Sequence, residues 1–245
     1  MNCVWPNMQN RYPLIEESLS LLCDNDIDIK NCIEPRRDEI ISLLENFLSE
    51  IEKFNPALKL VGTNDRRDLI LKHILDSLSP LKIFIKKCGC RNSVRQYTIA
   101  DIGSGAGFPG IPLAIVLPDT HVTLIERMGR RTGFLRNTLT VLGLKNVSVE
   151  EAEMEKVKTG RFDLVTCRAF KPLEPKIFKK LFRLCGEGGV LAAYKGRYDK
   201  TLAEITALEQ ALPELKDRWE IIPCPVPMLD EERHLLLIYS MRNEK

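Results

Sequence analysis

Apolar positions along this chain recur at helical spacing first and at strand spacing later. Ile40, Leu44, Phe47, Leu48, Ile51 and Phe54 return every three or four residues, so Asp38 to Phe54 reads as an amphipathic helix. Ile70, Leu71, Ile74, Leu75 and Leu78 form a second stripe. It predicts a helix from Asp65 to Ser79, capped by Thr63 or Asn64 and stopped by Pro80. No strand pattern precedes residue 97. From there short apolar runs read as strands at Thr98–Ile102, His121–Glu126, Val147–Glu150, Phe162–Cys167 and Val190–Tyr194. Helical stretches separate or follow them at Pro109–Leu117, Arg130–Leu142, Pro172–Leu184 and Leu202–Leu212. Such alternation predicts an α/β fold with a doubly wound, mostly parallel sheet. Trp219–Ile222 and Leu235–Ser240 follow with no helix between them and read as an antiparallel hairpin at the sheet edge. The expected division is 1–96, a helical N-terminal region, and 97–245, the sheet domain.

Composition narrows the picture little: 44% apolar and 29% charged residues are ordinary for a globular chain of 245 residues. No apolar run is long enough to span a bilayer, and residues 1–10 lack the pattern of a secretory signal, so a cytoplasmic location is expected. Eight cysteines form no CxxC pair and only three histidines accompany them, so no metal site is expected; reduced, mostly buried thiols are. Cys88-Gly89-Cys90 is spaced closely enough for redox chemistry. The net charge of +2 is unevenly spread. Residues 1–54 carry eleven acidic against five basic side chains, whereas 55–100 carry nine basic against three acidic and 161–200 carry ten against four. Two basic segments in a nearly neutral chain point to either an anion-binding face or scattered solvated lysines.

The strongest local signal is Asp101-Ile102-Gly103-Ser104-Gly105-Ala106-Gly107-Phe108-Pro109-Gly110, between a strand and a helix. Glycines there permit a tight turn and close approach of backbone to a ligand. From Gly105 the stretch fits the dinucleotide pattern GxGxxG. From Gly103 it fits GxGxG with an aspartate two residues upstream, the arrangement methyltransferases use for S-adenosylmethionine. Glu126, at the end of the next strand, is placed to hold ribose hydroxyls in either case. The C-terminal hairpin favours the methyltransferase.

At the end of the fourth strand stand Cys167 and Arg168. Cys167 is a candidate nucleophile for cytosine C5 chemistry or a small buried thiol. Arg168 is a candidate for a cofactor carboxylate, an RNA phosphate or a structural ion pair. Arg127, Arg130 and Arg131 open the helix after the second strand, where cations oppose the helix dipole; an anionic partner would explain that cost.

The chain resembles the glucose-inhibited division protein B family, small-subunit ribosomal RNA guanine-N7 methyltransferases. The resemblance runs from about Asn55 to Gly196. It is carried by Lys72-His73-Ile74-Leu75-Asp76-Ser77-Leu78, Asp101 through Pro112, Arg130-Arg131, Phe134-Leu135, Leu142-Gly143-Leu144, Ala152-Glu153, Arg168-Ala169 and Gly188-Gly189. It implies a Rossmann-like class I methyltransferase with a seven-stranded sheet, S-adenosylmethionine as cofactor and ribosomal RNA or the small subunit as partner. By that resemblance the cofactor is held by Gly103, Phe108, the Ala152-Glu153 pair and Arg168; the loop pattern adds Gly105 and Gly107, the strand end adds Glu126, and Arg127, Arg130 and Arg131 at the helix start are expected to face RNA. No general base is implied. His73 and Asp76, three apart on one helix, are expected to make a structural contact with each other. The alternatives are a methyltransferase acting on another RNA or a small molecule, and a non-catalytic RNA-binding assembly protein.

Overall fold

The computed structural model describes residues 13–24, 26–88, 96–158, 160–169 and 171–240. At its centre lies one sheet of β1 (Tyr97–Ile102), β2 (Thr120–Glu126), β3 (Val147–Glu151), β4 (Phe162–Cys167), β5 (Cys185–Lys195), β6 (Trp219–Pro223) and β7 (His234–Tyr239). The strand order is β3-β2-β1-β4-β5-β7-β6. β1 to β5 are parallel to one another, and β7 runs antiparallel between β5 and β6. The expected α/β class and the antiparallel ending are both present. The expected hairpin is more than an edge, because β7 slots into the sheet and leaves β6 outermost.

Helices cover both faces. In chain order they are α1 (Pro13–Asp24), α2 (Ile27–Ile33), α3 (Arg37–Leu58), α4 (Arg66–Leu69), a π-helical segment (Ile70–Leu75), α5 (Asp76–Leu78), α6 (Leu81–Lys87), α7 (Gly110–Val116), α8 (Gly129–Leu142), α9 (Pro175–Phe182) and α10 (Tyr198–Ala211). One face of the sheet shares a single apolar core with α3, α7, α8 and the other N-terminal helices. The opposite face packs against α9 and α10. The predicted stripes are the buried ones: Ile40, Leu44, Phe47, Leu48 and Ile51 of α3 lie wholly in the core.

Several expectations are corrected. The helix predicted over Asp65–Ser79 is broken by the π segment and capped by Asp65, whose carboxylate accepts the Asp68 N–H at 2.8 Å. Neither Thr63 nor Asn64 caps it; the Thr63 hydroxyl instead accepts the Asp65 N–H. The run ends at Leu78 and turns at Ser79 and Pro80, as the proline predicts, and Pro80 then caps the start of α6. β5 starts five residues before the predicted Val190. The added residues include Gly186, Gly188 and Gly189; a Cβ on Gly189 would sit 2.8 Å from the Phe162 carbonyl oxygen, so glycine lets the strand pair there. Cys90 lies outside the described residues. Among those residues no helix is long and apolar enough to cross a membrane, and no group of three or more His, Cys, Asp or Glu could hold a metal ion.

Candidate active site

The sheet order reverses direction between β1 and β4, and at such a point a crevice opens at the strands' carboxyl ends. The glycine loop enters that crevice from β1. Its Gly103 and Ser104 N–H groups donate to the Ile125 carbonyl at 2.8 and 3.2 Å, which ties the loop to β2. Gly105 and Gly107 have φ of 56° and 95°, where a side chain is strained. A Cβ on Gly107 would lie 2.5 Å from Ile111 Cδ1, and one on Gly110 2.3 Å from Leu124 Cδ2. The loop therefore keeps its shape only with glycine, and α7 packs directly on β2.

Two carboxylates stand behind this loop. Asp101 is wholly buried; its Oδ2 accepts the Gly110 N–H at 3.0 Å, while Oδ1 has no partner among the described residues. Burial pushes its carboxyl up to about 7, opposed by the Gly110 N–H and Arg168. Glu126, also buried, accepts the Gly105 N–H on Oε2 at 3.1 Å and the Met128 N–H on Oε1 at 2.9 Å. Each oxygen keeps a further acceptor lone pair. The Ala152 N–H donates to the Glu126 carbonyl at 3.1 Å, which brings the end of β3 alongside. Glu153 is exposed, 3.4 Å from Lys156 Nζ. Arg131 Nη1 is 3.9 Å from Glu126 Oε2 and beside Gly105, so this arginine lies over the loop rather than with the outward-facing pair. One residue is about 100° of helix rotation, enough to turn Arg131 inward from its neighbour. Arg127 and Arg130 are exposed and have no partner among the described residues.

Arg168 closes the other side. Its Nη1 donates to the Lys72 carbonyl at 3.0 Å and to Asp76 Oδ2 at 2.9 Å, its Nη2 lies 2.9 Å from His73 Nδ1, and its guanidinium sits 5.0 Å from the Phe108 ring centroid. An arginine can only donate, so His73 Nδ1 accepts and the ring is neutral on that nitrogen. Burial and Arg168 lower the His73 pKa to about 4. His73 and Asp76 do not pair with each other as expected; they share Arg168. Sequence reading missed Arg233, whose Nε donates to the other Asp76 oxygen at 3.0 Å. Its partner lies 157 residues away, and no local pattern marks it. The backbone after Arg168 is turned sharply, with Ala169 at φ 51°. Cys167 is 1% exposed, and burial pushes its thiol up to about 12. Such a thiol is neutral at physiological pH and does not attack a base.

The sequence model of the family described as rRNA small subunit methyltransferase G matches residues 40–234. A Treponema denticola protein named "Ribosomal RNA small subunit methyltransferase G" is 36% identical over 228 residues, 84% of this chain and 88% of its own. A Halorhodospira halophila protein of the same name is 41% identical over 182 residues, 73% of this chain and 79% of its own. Among solved structures, an S-adenosylmethionine-dependent methyltransferase from Aquifex aeolicus superposes with a TM-score of 0.51 at 18% identity, over 74% of this chain and 97% of that one. At that identity the likeness is one of fold.

Proposed function

The chain belongs to the rRNA small subunit methyltransferase G family, and on that premise we propose that it transfers a methyl group from S-adenosylmethionine to N7 of a guanine in small-subunit ribosomal RNA. The observation that carries the cofactor assignment is the glycine cradle backed by two carboxylates: Asp101 with an unpartnered buried oxygen, Glu126 with spare acceptor capacity. These fit a ligand that is cationic at one end and carries ribose hydroxyls. Gly103, Gly105, Gly107 and Phe108 would form its floor, Glu126 would accept the hydroxyls, Ala152 and Glu153 would border the base, and Arg168 would face its carboxylate. When bound, the cofactor supplies an activated methyl on a cationic sulfur.

Guanine N7 is an acceptor with no proton to remove. The protein's task is then to align the reactants and exclude water. The site agrees: His73 is already committed to Arg168, and Cys167 is buried and neutral. Arg127 and Arg130 lie at the crevice rim as phosphate contacts, and Arg131 belongs to the cofactor side. The test is incubation with labelled S-adenosylmethionine and small-subunit RNA or subunits, followed by nucleoside analysis. Label in 7-methylguanosine supports the assignment; label in 5-methylcytosine, or in a small molecule without RNA, sinks it. Gly105→Asp places a strained side chain and a second negative charge beside Glu126 and should abolish both binding and transfer.

A further inference from the structure

We propose that Tyr198, backed by His234, is a stacking platform for a base flanking the target in the RNA; this rests on the reading of the chain as an RNA methyltransferase. Tyr198 is 48% exposed and is the aromatic member of the large apolar side chains left exposed among the described residues. It opens α10 immediately beyond the carboxyl end of β5, on the same rim as the glycine loop and Arg168. β5 lies two strands from β1 in the sheet order. Two strand spacings separate the carboxyl ends of β1 and β5 by about 10 Å, so a base held on this rim would be a neighbour of one held at the glycine loop.

The ring is braced from below. The Tyr198 N–H, which a first helical turn leaves without an intrahelical partner, donates to Glu232 Oε2 at 2.9 Å. The His234 ring packs 5.5 Å away at 53°, and its Nδ1 donates to the Gly196 carbonyl at 2.6 Å. A carbonyl only accepts, so Nδ1 carries the hydrogen and the bond orients the ring. The flanking cations are paired, Arg197 with Asp199 and Arg233 with Asp76 and Glu231, and the Glu232 carboxylate holds the Tyr198 N–H. The patch therefore offers a ring face rather than a phosphate site. Single-stranded RNA is held in this way, by unstacked bases laid on fixed aromatic rings.

The test is methyl transfer under single-turnover conditions with small-subunit RNA, comparing wild type, Tyr198→Ala and Tyr198→Phe. Stacking strengths predict that Tyr198→Ala raises the half-saturating RNA concentration about 5- to 150-fold. The rate at saturation, the S-adenosylmethionine affinity and the salt slope should stay as in wild type, and Tyr198→Phe should behave as wild type. An unchanged half-saturating concentration in Tyr198→Ala, or a loss confined to the saturating rate, overturns the platform. A second measurement is independent of methyl transfer. Tyr198→Trp should show fluorescence quenching by a single-stranded ribosomal RNA oligonucleotide beyond that of the wild-type tryptophans. Quenching without methyl transfer would keep the platform and sink the activity; methyl transfer without quenching would do the reverse.

Discussion

Desolvation shifts the Cys167 thiol and the His73 imidazole in opposite directions. Cys167 in β4 titrates near 12 and His73 near 4, so neither changes charge across the neutral range. The rate at saturating substrates should therefore be flat from about pH 6.5 to 8.5, the span between the ordinary histidine and thiol values. Cys167→Ser should remain active; a rate that climbs with a pKa near 8.5, or loss of turnover in that variant, would restore the cysteine mechanism. Asp101 in β1 behaves otherwise. Its folded-state carboxyl is raised to about 7, so it is mostly neutral below that pH and charged above it. A cationic ligand in the adjoining loop is attracted by the charged form. The dissociation constant for S-adenosylmethionine should accordingly rise as pH falls through about 7, and Asp101→Asn should remove that dependence. A pH-independent binding constant in the wild type would detach Asp101 from the cofactor.

Elements far apart in the chain are joined by one ion cluster. The π segment and α5 present the Lys72 carbonyl, His73 and Asp76 to Arg168 at the end of β4, and Arg233, beside the start of β7, grips Asp76 from the other side. Asp76 and Arg168 are nearly buried, so leaving either cation uncompensated is costly. Asp76→Asn should lower stability by about 3 kcal/mol, read as a shift in the denaturant midpoint, and weaken cofactor binding as Arg168 loses its hold on the Phe108 ring. A wild-type midpoint together with wild-type affinity would mean the cluster is dispensable. The strands, the glycine loop and Glu126 were legible in the sequence because each is a local pattern: an apolar run, a glycine spacing, an acid at a strand end. The cluster was not, because each arginine in it lies 92 to 157 residues from the groups it bonds on the helical segment. The π segment was not either, since an apolar stripe at three- and four-residue spacing reads as ordinary helix. β5 was shortened in the reading because its first five residues hold three glycines and no apolar run, and the close approach to Phe162 that glycine permits is not a local pattern.

Over the whole molecule the N-terminal helices and the sheet act as one body with a charged rim. Phe47 of α3 meets Phe108 of the glycine loop at 5.1 Å, and Phe54 meets Phe134 of α8 at 5.8 Å, so the helical region braces the crevice from one face. That bracing leaves the start of α8 free to display Arg127 and Arg130 outward, while Arg131 leans on Glu126. Cations at a helix N-terminus are unfavourable by some tenths of a kcal/mol each, and neither exposed arginine has a carboxylate to offset this. An RNA backbone would supply the missing anions. Each phosphate neutralised contributes about 0.7 to the slope of log K against log salt for a single strand and about 0.9 for a duplex. Arg127→Ala with Arg130→Ala should therefore lower the magnitude of that slope by about 1.4 to 1.8 units and raise the half-saturating RNA concentration, with cofactor affinity unchanged. Arg131→Ala should do the opposite, shifting cofactor affinity and leaving the slope nearly intact. If the double variant keeps the wild-type slope while Arg131→Ala lowers it, the outward and inward roles of these arginines are reversed and the RNA lies across the glycine loop.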